Sequence, residues 1–371
     1  MAKRVLTRHQ KWRIEKIQQD RINRANKKST LFEKQLDDNY QTDISHQHNG
    51  LVIKNYGQSL DIEDKQGLYR CSFRQNLGAI VAGDEVVWNK LHSNKQLQSS
   101  SNHLKNDNLI YDGVVIAVQE RHSLLARPDS YGNKKTIAAN IDQILIINAP
   151  TSIATDPSKS SHTTPRLNTG LIDRYLLSAE SNQIQAVIVI NKIDLLTDNE
   201  LAEIKNKLCV YKNLGYEIVY TSALTQPQLP ELVQMLSNKN SIFVGQSGVG
   251  KSSLLNFLLP DAQAKTATVS TANAKGRHTT SAAQLYHLEK AGIENATLID
   301  SPGIREFGLW DITKEDINNG FKEIKEFSKN CRFRDCQHEK EPDCAILKAL
   351  DEQLIGVGRY NSYKKIINSL S

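Results

Sequence analysis

The string Gly245-Gln246-Ser247-Gly248-Val249-Gly250-Lys251-Ser252 constrains this chain more than any other feature. It matches G-x-x-x-x-G-K-[ST] and follows the apolar run Ser241–Val244, so it sits where a strand turns into a helix. Glycines at these positions let successive backbone N–H groups turn inward around a phosphate. The helix expected over Lys251–Leu259 points its positive dipole end at the same place. Lys251 would pair with β- and γ-phosphates, the Ser252 hydroxyl would ligate Mg²⁺, and Ser253 belongs to the same turn. The bland alternative, a chance glycine-rich turn, does not account for the flanking strand and helix.

A second string, Asn191-Lys192-Ile193-Asp194, closes the apolar run Ala186–Ile190. Asp194 can accept hydrogen bonds from the N1–H and 2-amino groups of guanine. Adenine lacks that donor pair and would leave a buried carboxylate unpaired. Thr221-Ser222-Ala223-Leu224 follows another strand-like run and offers the Ala223 N–H to the guanine O6. Asp300-Ser301-Pro302-Gly303 follows Ala296–Ile299; Asp300 suits Mg²⁺ and the Gly303 N–H a γ-phosphate. Between lies Thr266–Ser281, small and polar, the composition of a loop that a γ-phosphate orders. Thr280 is the preferred ligand for Mg²⁺ there, with Thr279 as the alternative. Together these strings describe a GTP/GDP site in permuted order, with the base readers ahead of the phosphate loop. A site is defined in space, so a permutation preserves it when the old termini lie close together.

The flanks differ in texture. Leu51–Asn55, Ser59–Glu63, Leu68–Phe73, Asp84–Asn89 and Gly113–Gln119 read as short strands, and an OB-fold barrel fits their number and spacing. From Ile141, strand-like and helix-like runs alternate, which argues a mostly parallel sheet covered by helices. Near the C-terminus Cys331, Cys336, His338 and Cys344 fall within a short span that suits tetrahedral Zn²⁺ with no open position, hence a structural ion. The five Cys are odd in number and unevenly spread, which speaks against a disulfide framework and for a reducing cytoplasm. No apolar run reaches membrane-spanning length, and no secretory signal opens the chain. The first 30 residues carry ten Lys and Arg against two acids, while the whole chain is only +6. The excess positive charge is therefore local and suits a polyanion such as RNA.

The permuted order, the string Gly276-Arg277-His278-Thr279-Thr280, the run Asp300–Trp310 and the Cys/His cluster resemble the RsgA (also called YjeQ) family of small-ribosomal-subunit-biogenesis GTPases. The resemblance runs from about Gly50 to the C-terminus. It implies an N-terminal OB-fold barrel, a central circularly permuted α/β P-loop GTPase and an α-helical zinc-binding domain. The expected boundaries are a basic extension over 1–45, the barrel over 46–128, the GTPase domain over 129–312 and the zinc domain over 313–371. It also implies a cytoplasmic monomer that binds the 30S subunit and its rRNA and assists late assembly, with GTP hydrolysis stimulated by the subunit. The position after Gly303 is Ile304, which cannot orient water; the resemblance assigns that catalytic task to His278. The basic extension and the Ser/Thr-rich stretch 152–169 depart from shorter members. Two other readings stay open: an RNA-binding module with a passive GTP site, and a GTPase with a different target.

Overall fold

Alternating apolar residues in the first part of the chain build a barrel. The computed structural model describes residues 40–93, 111–128, 134–150, 167–225, 229–259, 283–300 and 313–369. Five strands form the barrel: β1 (Tyr40–Asn55), β2 (Leu60–Asp64), β3 (Gly67–Phe73), β4 (Glu85–Ser93) and β5 (Gly113–Val118). They pair in the order β1-β2-β3-β5-β4, and β4 pairs back onto β1, which closes the sheet. Strands β3 and β5 run parallel, with Cys71 opposite Gly113. Inward-facing Val52, Leu60, Ile62, Cys71, Val86, Trp88 and Val115 fill the interior. Gly113 is required there: a Cβ would lie 2.4 Å from the Trp88 ring. The first strand begins at Tyr40, where the sequence pointed to Leu51. Its polar upstream half is held by backbone pairing with β4 through a register shift between Thr42 and Gln47, and backbone pairing leaves no apolar pattern to read.

Glu120–Ser371, joined by Ile53–Asn55 and Val81–Asp84, forms a second unit. It opens with a hairpin the sequence did not reveal, β6 (Leu124–Pro128) and β7 (Lys134–Ala139). A sheet follows, of β8 (Gln143–Asn148), β9 (Gln185–Ile190), β10 (Glu217–Tyr220), β11 (Asn240–Val244), β12 (Gln284–His287) and β13 (Thr297–Asp300). The order is β10-β9-β8-β11-β13-β12, parallel except for β12. The central strand β8 is buried along its whole length, as a run of Ile and Leu covered on both faces must be. Its one interior-end polar side chain, Gln143, donates to the Met235 carbonyl (2.6 Å) and the Ser241 hydroxyl (2.9 Å).

Helices α1 (Thr169–Ser181), α2 (Asp198–Asn213), α3 (Pro230–Leu236) and α4 (Lys251–Leu258) cover this sheet. The C-terminal part adds α5 (Lys314–Gly320), α6 (Lys322–Ser328), α7 (Ala345–Asp351) and α8 (Val357–Asn368). These pack on α1 through Leu177, Ile317, Phe321, Ile324, Ile346, Tyr363 and Ile366. Within that apolar layer Arg359 is 2% exposed. Its guanidinium donates to both oxygens of Glu323 (2.7 and 3.1 Å) and to Asp173 Oδ1 (2.7 Å), and Tyr211 also donates to Asp173 (2.7 Å). Nothing in the sequence distinguished this buried hub.

Candidate functional site

Parallel strands end side by side, so loops at their carboxyl ends converge on one rim. In register, Asn148 lies opposite Ile190, Ile190 opposite Tyr220, and Ile242 opposite Ile299. Asn191, Thr221, Gly245 and Asp300 therefore stand at the same edge of the sheet. The strings separated in sequence meet there.

The phosphate-type loop takes the backbone path that its glycines permit. Gly245 has φ +147 and Gly250 φ +93. A Cβ at Gly245 would meet the Ile147 carbonyl at 2.2 Å, and one at Gly250 would meet Asn191 Nδ2 at 2.2 Å. Gln246, Ser247 and Gly248 are exposed, Val249 is buried, and Ser252 and Ser253 are exposed at the start of α4. Side chains hold the loop's carbonyls: Lys251 Nζ donates to Gly245 O (2.5 Å) and Gln246 O (2.6 Å), and Lys192 Nζ to Gly248 O (2.6 Å). Asn191 Nδ2 donates to Val249 O (2.9 Å). With the carbonyls turned toward these donors, the intervening N–H groups are left for an anion. Gly250 precedes α4 without a side-chain cap, so the first-turn amides of that helix also lack a side-chain acceptor.

Asn191 does more than the sequence indicated. It is 1% exposed, and while one end of its amide holds the phosphate-type loop, its Oδ1 accepts from the Ala223 N–H (3.3 Å). One side chain thus sets the spacing between two loops. Lys192 adopts a left-handed conformation (φ +64) that starts the short turn Ile193–Leu195 and brings Asp194 out to solvent. The Ser222 hydroxyl donates to Asp194 Oδ1, and in turn accepts from the amides of Leu224 (3.3 Å) and Thr225 (3.2 Å). That chain fixes the direction of the Asp194 carboxylate. Asp300 ends β13, partly buried. Burial first, and the nearby Asp300 charge second, push the Tyr286 hydroxyl above its ordinary range. His278, Thr279, Thr280 and Gly303 lie outside the described residues, as do most of 1–45 and 152–169.

A second cluster lies in the C-terminal part. The donor atoms of Cys331, Cys336, His338 and Cys344 all fall within 4.8 Å of one another. Cys331 Sγ and Cys344 Sγ are 3.9 Å apart, and His338 Nδ1 is 3.6 and 3.5 Å from them. Ligand edges around tetrahedral zinc are about 3.5–3.8 Å, so the donor set fits a metal ion. Burial lowers His338, which keeps its imidazole neutral and its lone pair available. Tyr360 donates to the His338 carbonyl (2.6 Å) and ties the cluster to α8.

Comparison with known proteins agrees with this geometry. The model of the RsgA GTPase family matches residues 118–310. Over its full length the chain is 41% identical to the small ribosomal subunit biogenesis GTPase RsgA of Histophilus somni (strain 129Pt), covering 97% of that protein. It is also similar to the crystal structure of YjeQ from Thermotoga maritima, with TM-score 0.61 and 28% identity over 88% of this chain and 99% of that one. YloQ, a circularly permuted GTPase, gives TM-score 0.61 and 27% identity over 87% and 95% of the two chains.

Proposed function

The chain belongs to the RsgA family of GTPases, and from that premise we propose that it couples GTP hydrolysis to late assembly of the 30S ribosomal subunit. It is a GTP hydrolase of small-subunit biogenesis. The observation that supports a guanine-specific site is the bracing of Asp194 by Ser222, together with the buried Asn191 spanning two loops. In this reading Asp194 takes the base N1–H and 2-amino group, and the Ala223 N–H, which donates to Asn191 Oδ1 here, turns to O6 when the base binds. Gly245–Ser253 and Lys251 hold the phosphates. Ser252, Thr280 and Asp300 are the side chains for Mg²⁺, which when bound neutralises charge on the β- and γ-phosphates. Gly303 offers a backbone N–H to the γ-phosphate, and His278 orients the attacking water. Cys331, Cys336, His338 and Cys344 hold one structural Zn²⁺.

The barrel, the C-terminal domain and the basic extension would dock on rRNA. The loop that carries His278 is small and polar, so ordering it costs entropy that nucleotide alone does not offset. Docking supplies the difference, and by reciprocity GTP tightens docking while GDP loosens it. The test is GTP hydrolysis by the purified protein with and without purified 30S subunits. Turnover should rise on addition of subunits, and rising salt should suppress the effect. Slow turnover unaltered by 30S subunits would overturn the reading.

A further inference from the structure

Beside the phosphate loop, the second unit contains a cavity of about 290 Å³ whose wall includes Gly170, Arg174, Gln246, Ser362 and Lys365. Among the described residues its only charged lining residues are the cations Arg174 and Lys365. Among the described residues neither has an ion-pair partner. Ser362 is 9% exposed, and its Oγ lies 3.8 Å from where a Cβ on Gly170 would stand. Among the described residues its hydroxyl has no hydrogen-bond partner, and Ser362 forms part of the cavity wall. The first turn of α1 opens at the same wall. The amides of Thr169, Leu171 and Ile172 are taken by Leu167 and Asn168, whereas that of Gly170 has no acceptor among the described residues.

We propose that this cavity is a second anion site, distinct from the nucleotide site, which takes a terminal phosphate group. Among the described residues the lining offers two cations, the hydroxyl of Ser362 and a helix-start amide, and no carboxylate to oppose them. A dianion with three free oxygens matches that set; a diester carries one charge and two substituents, and a carboxylate only two oxygens. The ligand is either inorganic phosphate, which GTP hydrolysis by this domain releases, or the 5′-phosphate of a mononucleotide. Gln246 belongs to the cavity wall and to the phosphate loop, and its carbonyl is held by Lys251. Occupancy is therefore linked to the loop, and the linkage is reciprocal.

The experiment uses the full-length protein saturated with GDP and Mg²⁺, titrated by calorimetry with inorganic phosphate and, separately, with AMP. The variant is Arg174→Gln combined with Lys365→Gln, both exposed positions. Wild type should bind inorganic phosphate with a Kd of millimolar order or below, and the double variant should bind about tenfold or more weakly. AMP binding with the same loss would assign the site to phosphomonoesters in general; phosphate without AMP binding would assign it to the reaction's product. Unchanged GDP affinity in the variant shows that it is folded. Phosphate binding equal in both proteins would locate the anion in the empty γ-phosphate position, and overturn the proposal. Absence of saturable binding of either probe would overturn it too. Failure to bind GDP at all would instead count against the nucleotide site.

Discussion

Replacing Arg359 with Met should be among the costliest single changes outside the nucleotide site. Arg359 sits in the apolar layer between α1 and the C-terminal helices, where solvent does not screen its interactions. The substitution keeps much of the volume and removes three charge-assisted hydrogen bonds. The two carboxylates then fare differently. Asp173 keeps the Tyr211 hydroxyl. Glu323, 5% exposed, receives two hydrogen bonds from Arg359 and, among the described residues, no other. Stranding a buried charge costs about 3–5 kcal/mol, and Glu323 should account for most of that. The assay is urea unfolding followed by far-UV circular dichroism, on wild type, Arg359→Met, and Arg359→Met combined with Glu323→Gln or with Asp173→Asn. Glu323→Gln should recover more stability than Asp173→Asn, because it neutralises the carboxylate left alone. A loss under about 1 kcal/mol for Arg359→Met, the range of exposed pairs, would refute the argument. Equal recovery by the two neutralising changes would refute the assignment of the cost to Glu323.

Three further outcomes are expected. Asp194→Asn should weaken GTP by about 2–4 kcal/mol, the range for stripping a charge-assisted pair; fluorescent-GTP titration matching wild type would remove Asp194 from the base site. Freshly purified protein should carry one zinc per chain by elemental analysis, and Cys336→Ala should lose it and disorder the C-terminal part while GDP still binds; zinc-free wild type would end that assignment. His278→Ala should keep GTP affinity but cut 30S-stimulated turnover by about 10²-fold or more, and unaltered stimulated turnover would move the water-orienting role elsewhere.

Much of this molecule was legible because its signals are local. The P-loop string, Asn191–Asp194 and the Cys/His cluster each depend on residue types at fixed short spacing. The buried strands β8, β9 and β11 are short apolar runs between turns, which fixes their extent to within a residue. The upstream half of β1 was not legible, because backbone pairing with β4 holds it and leaves no side-chain pattern. The hairpin β6–β7 was missed for a related reason: it includes Arg127, Pro128, Lys134 and Lys135, and its pairing is broken by a register shift between Leu125 and Ala126.

The central role of α1 was hidden by a different cause. The sequence marked a helix there, and an ordinary covering helix has one apolar stripe and one polar face. This helix is enclosed on more than one side, so its polar residues are sorted by partner rather than by exposure. Leu177 faces the C-terminal helices, and a Cβ on Gly320 would come within 2.1 Å of it. Asp173 is 1% exposed and meets Arg359, 186 positions away. Tyr175, also buried, has its hydroxyl pushed up to about 12 by burial against the opposing pull of the Gly245 amide. Arg174 and Gly170 line the cavity beside Gln246. No window of sequence holds both members of any of these pairs. A single helix therefore packs against the C-terminal helices, lines the cavity and reaches the phosphate loop where Tyr175 meets the Gly245 amide. The C-terminal part and the nucleotide loop are thus packed on one helix, and the Arg359 variants measure how strongly the first of these contacts holds.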